Sequence, residues 1–233
     1  MENVTFADIL TQYAMQEIDD INWSQEIALS PARFLRAKSD TVINAIPLFS
    51  RPPEMHRYLT YSAPEYDDYL YEVGEAHESG LVIATGKAGF ETCSVVKTCT
   101  GEAEEPACFP IKCRYDVETG DVTILDELNA EDRLDIDFYT DAVFDEDLSE
   151  EMCSILGTCI ALKWFSRFAN TWLNMTPKVT DKTFSIGSES AQMTSNTNRM
   201  RELRAVLNDK LLRFEQSVAY ENIVPNYGRL KMR

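Results

Sequence analysis

The sequence predicts an α+β fold: an antiparallel β-sandwich or small barrel in the middle of the chain, flanked by an N-terminal helical segment and a C-terminal hairpin of long helices. Three observations predict it. Apolar residues recur at spacings of three and four before residue 50 and again after residue 148. Short β-rich runs separated by Gly or Pro fill residues 54–141. The run Leu134-Asp135-Ile136-Asp137-Phe138-Tyr139 alternates apolar and charged residues, as a half-buried strand does. The segments that follow are 1–53 helical, 54–147 strand-rich, 148–224 a helical hairpin and 225–233 an extended tail, all within one compact domain.

Thr5 and Asp8 are spaced to cap a first helix reaching about Ile18. Ser30-Pro31 starts the next, with Ser30 as N-cap and Pro31 in the first helical position. Leu35, Val42, Ile46 and Phe49 give it one buried stripe. Pro47 ends or bends it, and Arg51-Pro52-Pro53 forbids continuation. Strands are expected at 58–62, 68–75, 81–85, 91–98, 109–116, 121–125 and 134–139. Val117-Glu118-Thr119-Gly120 reads as a hairpin loop with Gly120 at positive φ. Leu134, Ile136 and Phe138 should face a core, and Asp135 and Asp137 water.

Ser149 caps a long helix, with Glu150 and Glu151 at its positive end. Met152, Ile155, Leu156, Cys159 and Ile160 form one stripe. Phe165, Phe168 and Trp172 lie nearly opposite, while Lys163, Arg167 and Asn170 continue the first side. Such a helix either touches two bodies or is buried all round in a larger core. A polar connection over 178–195 leads to a last helix from about Thr197 to Tyr220. Its stripe is Met200, Leu203, Leu207, Leu211, Phe214 and Val218, and Pro225 and Gly228 end regular structure.

Net charge is −17, from 39 acidic against 22 basic residues, which argues against wrapping tightly around phosphate backbones. Basic residues concentrate only at Arg199–Arg204, a solvated helix face, and in Arg229, Leu230, Lys231, Met232 and Arg233, a tail that is mobile or orders on a partner. No stretch is long and apolar enough for a membrane helix, and Met1-Glu2-Asn3-Val4 does not begin a secretory signal.

Cys93, Cys99, Cys108 and Cys113 fall within 21 residues and raise the question of zinc. Their spacing lacks a CxxC knuckle, so buried thiols are expected and no metal. Cys153 and Cys159 read as core. His56 and His77 have no nucleophile or ligand at motif spacing. No P-loop, G-x-S-x-G or G-x-G-x-x-G occurs, and Asp135, Asp137, Asp141, Asp145 and Asp147 do not match an EF-hand. The aromatics between Tyr58 and Tyr71 lack the interleaved basic residues of a nucleic-acid platform. No catalytic residue, cofactor or metal ligand is therefore expected. The competing readings are a metal-stabilised, Cys-rich interaction or regulatory module, and a hydrolase with an unrecognised site.

One larger pattern remains. The strand Leu134–Tyr139 runs through Thr140-Asp141-Ala142-Val143-Phe144. The chain then enters a helix through Asp147-Leu148-Ser149-Glu150-Glu151-Met152, and that helix bears Trp164 and Phe165. Asp181-Lys182-Thr183-Phe184-Ser185 precedes the last helix. This order resembles the virion neck, or head-to-tail connector (adaptor), proteins of tailed bacteriophages over roughly residues 130–220, with weaker support from Trp23-Ser24-Gln25-Glu26. The cysteine-rich hairpins and the Ser/Thr-rich stretch 185–197 depart from that pattern. The resemblance implies a non-catalytic structural subunit, made in the host cytoplasm and assembled into the virion neck. It would form a homo-oligomeric ring of twelve or six copies between portal and tail proteins, in passive contact with passing DNA and with no membrane. Phe165, Phe168, Trp172 and Arg229–Arg233 are the candidate subunit or partner contacts.

Overall fold

The computed structural model describes the backbone of residues 3–18, 21–99, 107–174 and 186–230, and side chains within 3–18, 22–98, 108–167 and 195–219. The fold is α+β, with antiparallel sheets in mid-chain between N-terminal helices and a C-terminal helical hairpin. It opens with α1 (Phe6–Asp8), a π-helical stretch (Ile9–Ala14) and α2 (Met15–Ile18). Thr5 and Asp8 form the reciprocal capping box: Thr5 Oγ1 accepts from Asp8 N at 3.1 Å, and Asp8 Oδ2 accepts from Thr5 N at 3.0 Å. After α3 (Ile21–Leu29), Ser30 caps α4 (Pro31–Ala45) by accepting from Arg33 N at 3.2 Å. Pro47 lies in a 3₁₀ turn, Ile46–Leu48, that closes α4.

Seven strands follow: β1 (Glu65–Glu72), β2 (Leu81–Ala84), β3 (Thr92–Cys99), β4 (Ala107–Ile111), β5 (Cys113–Tyr115), β6 (Asp121–Ile124) and β7 (Arg133–Thr140). They form a four-stranded sheet ordered β1-β7-β3-β4 and a three-stranded sheet ordered β2-β6-β5, both antiparallel. The sheets share a small core that includes Ile83, Val95, Val122, Leu134, Ile136 and Phe138. The β5–β6 hairpin turns at Gly120, whose φ is +78°. A Cβ there would lie 2.7 Å from Lys87 N, so both conformation and space require glycine.

Two strand expectations are corrected. Residues 58–62 do not form a strand: Pro53–Leu59 is a 3₁₀ helix, whose start is favoured by prolines that fix φ, and Tyr61 makes an isolated bridge with Phe144. The run 109–116 is two strands in different sheets. Lys112 turns the corner between them, its N–H donating to Asp126 Oδ2 at 2.7 Å and its carbonyl accepting from Leu125 N at 2.8 Å.

A third correction concerns β7. Leu134, Ile136 and Phe138 enter the β core as expected, but the opposite face is largely covered, with Asp135 on it still partly exposed. Helix α4 covers it, so Tyr139 is fully buried and Asp137 is only 4% exposed. The architecture thus has three layers: α4, the four-stranded sheet and the three-stranded sheet.

Helix α5 (Glu150–Asn174) is the axis of the helical core. Ser149 Oγ accepts from Met152 N at 3.3 Å to cap it. Its residues 152, 153 and 155–162 are all buried among the π-helical stretch, α2, α4 and α6. Of the two readings of its apolar circumference, burial in a larger core holds for this stretch. Gly157 lets the π-helical stretch approach, since a Cβ there would lie 2.7 Å from Tyr13 Cβ. Lys38 is buried beside Trp23 and Trp164. Its ammonium is 4.6 Å from the Trp164 ring centre and 2.7 Å from Glu26 Oε2, which compensates its desolvation.

Helix α6 (Ile186–Leu230) packs on α5 through Leu203, Leu207, Leu211 and Phe214, the expected stripe. Its bounds are corrected at both ends. The expected polar connection is already helical from Ile186, and the expected extended tail is helical through Leu230. Once a helix is nucleated each added residue gains a bond, so weak formers at 186–197 are carried along; Pro225 removes its own donor and crowds the carbonyl four residues earlier, yet the helix runs past it to Leu230.

Candidate interaction surface

Strand β1 is an edge of the four-stranded sheet. Its side chains alternate between two environments. Tyr69 and Tyr71 pack against the β core. Tyr66, Asp68 and Leu70 point the other way, toward α4, and Tyr66 and Leu70 remain 56% and 45% exposed. Between this face and α4 runs a half-open groove of about 550 Å³. Ser30 and Pro31 fix the start of α4, and the helical period then places Arg33, Arg36, Ala37 and Asp40 along the groove wall.

The groove is lined by two arginines and four aspartates, and the geometry pairs them unequally. The Arg36 guanidinium lies over the Tyr66 ring, 4.4 Å from its centre, with Nη1 3.3 Å from Asp68 Oδ1. Arg33 reaches into the floor, with Nε 3.1 Å from Asp137 Oδ2 and Nη2 3.7 Å from Asp135 Oδ2. Asp137 also accepts from Ser30 Oγ at 3.2 Å, and Ser30 Oγ lies 2.7 Å from Ser94 Oγ. Burial raises the Asp137 carboxyl above its ordinary value, against the pull of Arg33 and the Ser30 hydroxyl. The lining carries two formal positive and four formal negative charges, so its balance is anionic.

The arrangement has the features that suit recognition of another chain. It offers an exposed backbone edge, two apolar platforms and a negative wall. Neither histidine belongs to it: His56 sits in the 3₁₀ helix, and the His77 backbone bridges Leu128. The cysteines are spread over both sheets and α5. Cys93 and Cys113 are half-buried against the β core, Cys108 is exposed on β4, and Cys153 and Cys159 are buried in α5. Among the described residues no three His, Cys, Asp or Glu side chains are placed to hold one metal ion. Asp141 serves the backbone, accepting from Ala7 N at 2.8 Å and Ala142 N at 2.9 Å.

Among the described residues, none of the candidate contacts named from sequence lines the groove. Phe165 is half-buried and packs against the helical core. Arg229 and Leu230 end α6. The side chains of Phe168, Trp172, Arg229 and Leu230, the whole of Lys231, Met232 and Arg233, and the Asp181–Ser185 segment lie outside the described residues. Sequence reasoning missed the groove. A signal existed in the alternation of Tyr66, Leu70 against Tyr69, Tyr71, and in Arg33 and Arg36 one helical turn apart. It names two faces without pairing them.

No family model matches the sequence, and no curated protein matches it.

Proposed function

We propose that the chain is a structural subunit of a phage neck ring, joining the capsid portal to the tail and forming part of the DNA channel. The observation that carries the reading is the unequal helical hairpin. α5 has 25 residues and α6 has 45. At 1.5 Å per residue, α6 outreaches α5 by roughly 30 Å even when fully paired with it. A helix that exceeds its intramolecular partner in this way supplies length for contact with a neighbouring subunit or the next layer of a stack. The hairpin follows β7 through Asp147–Ser149 and bears Trp164, the order on which the resemblance to connector proteins rests. The acidic balance suits a channel wall past which DNA moves without adhering. No helix among the described residues is long and apolar enough to cross a membrane. In this reading the protein has no catalytic step, and its partners are further copies of itself, portal and tail proteins, and the passing DNA.

The test is assembly on a purified portal ring, followed by electron microscopy and native mass measurement. A closed ring of twelve copies is expected first and six second. Deleting residues 219–233 together with Trp172→Ser should abolish assembly. Failure of the intact chain to join the ring, or undiminished assembly of the altered chain, overturns the reading.

A further inference from the structure

We infer that the groove between α4 and the free edge of β1 binds an extended, basic segment of a partner protein, which adds to the sheet as a further strand. Three observations converge on this site.

The first is the edge itself. Val73 exchanges backbone bonds with Glu131 and Asp132 beside β7, so Asp68, in the alternate set of residues, faces away from β7. Its N–H donates to the neighbouring Asp67 Oδ1 at 2.8 Å, a contact an added strand would displace. The amide of Asp68 therefore faces outward. By the alternation of an antiparallel strand, so do the backbone groups of Tyr66 and Leu70. Eight residues of edge run from Glu65 to Glu72 without proline. The other edges are poorer templates: β4 contains Pro110, which has no donor, and β2 and β5 are only four and three residues long. Exposed edges of such length are usually blunted or paired.

The second is the groove beside that edge. A strand added to β1 would lay alternate side chains between β1 and α4, over Tyr66 and Leu70. An edge strand beside a helix, with a groove between them, supports strand addition generally: main-chain bonds give affinity and alternate pockets give selectivity.

The third is charge. The edge carries Glu65, Asp67, Asp68 and Glu72, and Asp40, Asp135 and Asp137 extend the acidic surface into the groove. Lys87 answers Asp67, Arg36 answers Asp68 and Arg33 answers Asp135 and Asp137, which leaves an acidic surplus. Two copies of this edge would set like charges opposite each other, so self-pairing is disfavoured. A strand with Lys or Arg at alternate positions and apolar residues between them can lay its apolar set over the Tyr66 and Leu70 platforms while its cations, on the other face, meet Glu65 and Asp67; the groove acids add to the attraction as a field rather than as direct partners. The groove is complete within one chain, so the inference stands whether or not a ring forms.

The probe is a fluorescein-labelled peptide with the sequence of residues 226–233, Asn-Tyr-Gly-Arg-Leu-Lys-Met-Arg, which has the required alternation. It is titrated against the full chain by anisotropy, and amide exchange is mapped at saturation. The expected result is saturable binding that weakens with salt and slows exchange at Tyr66 and Leu70. Two peptides N-methylated on alternate residues should differ, one binding about tenfold or more weakly and the other nearly unchanged, because only one set of amides faces β1. The variant Tyr66→Lys with Leu70→Lys should lose binding by a similar factor while keeping native tryptophan emission. Absence of saturable binding, equal binding of the two methylated peptides, or protection confined to other segments overturns the inference.

Discussion

The helical core and the β core are closed in different ways. The helical core surrounds α5 with the N-terminal segment, α4 and α6, and aromatic rings meet at its seams: Phe6 with Phe144, Trp23 with Trp164, Phe49 with Phe214. The β core lies between two sheets, and the outer one is made of three short strands. Val82, Val117 and Leu125 around that outer sheet are about half exposed. One strand belongs to both regions. β7 gives Leu134, Ile136 and Phe138 to the β core and Tyr139 to the helical core, which the chain just beyond it joins through Ala142 and Phe144. The difference predicts that resistance to unfolding is greatest around α5 and that the outer sheet depends on the four-stranded sheet for its order.

The comparison breaks most directly under truncation of core side chains. Ile155→Ala should fall near the top of the range of about 2–5 kcal/mol for such changes, and Ile83→Ala near the bottom, because the short β2 can collapse into the vacancy. Urea titrations of the two variants, followed by tryptophan emission and by amide exchange, measure this. Equal losses would break the comparison. The two crowded glycines sharpen it. Gly157→Ala forces α5 from the Tyr13 backbone and should cost about 1–3 kcal/mol, the usual penalty for overpacking. Gly120→Ala adds an unfavourable positive φ to a backbone clash, yet its effect should be local, with faster exchange in β5 and β6 and little change in α5.

Next in size is Arg33→Ala. It removes the cationic partner of the buried Asp137 and should cost about 1–3 kcal/mol at neutral pH, a value moderated by the half-exposed guanidinium. The pH dependence gives a smaller effect with a definite sign. Asp137 is held above its unfolded value by burial, so the folded protein binds that proton more tightly. Its contribution is fully present below the unfolded value and is lost as pH rises through the folded value. Asp137→Asn stays neutral throughout, so its stability relative to the wild type should improve across that window. Asp141, also raised by burial, acts with the same sign and should keep part of the slope in the variant. A stability difference that does not change with pH would refute the assignment. The smallest test is chemical. Burial pushes the thiols of Cys153 and Cys159 up to about 11 and about 12, so a thiol reagent should label the exposed Cys108 well before either, and reach those two on unfolding.

Local rules made much of this legible. The Thr5–Asp8 box, the Ser30 and Ser149 caps, the Gly120 turn and the Leu203–Phe214 stripe each depend on residues within a few positions of one another, and each stands where the pattern puts it. The second face of β7 was not legible. Asp137 reads as solvated because a carboxylate is buried only where a partner compensates it, and Arg33 is 104 residues away. The groove escaped for the same reason, being made of one face of α4 and one of β1 that no short-range pattern joins. The extent of α6 escaped because Ser/Thr-rich sequence and Pro225 are local stop signals, whereas helix propagation is cooperative.

The clamp between the two ends of the helical core has a consequence for synthesis. Phe6 N donates to Ala142 O at 3.0 Å, Phe144 N donates to Val4 O at 3.0 Å, and Thr5 bridges Val143. Residues 4–6 are therefore bonded to residues made nearly 140 positions later. At elongation rates of about 5–20 residues per second, this segment waits roughly 7–30 s with Phe6, Ile9 and Leu10 uncovered. Every nascent copy thus passes through an interval in which its most deeply buried side chains are open to the chaperones of the cell that makes it.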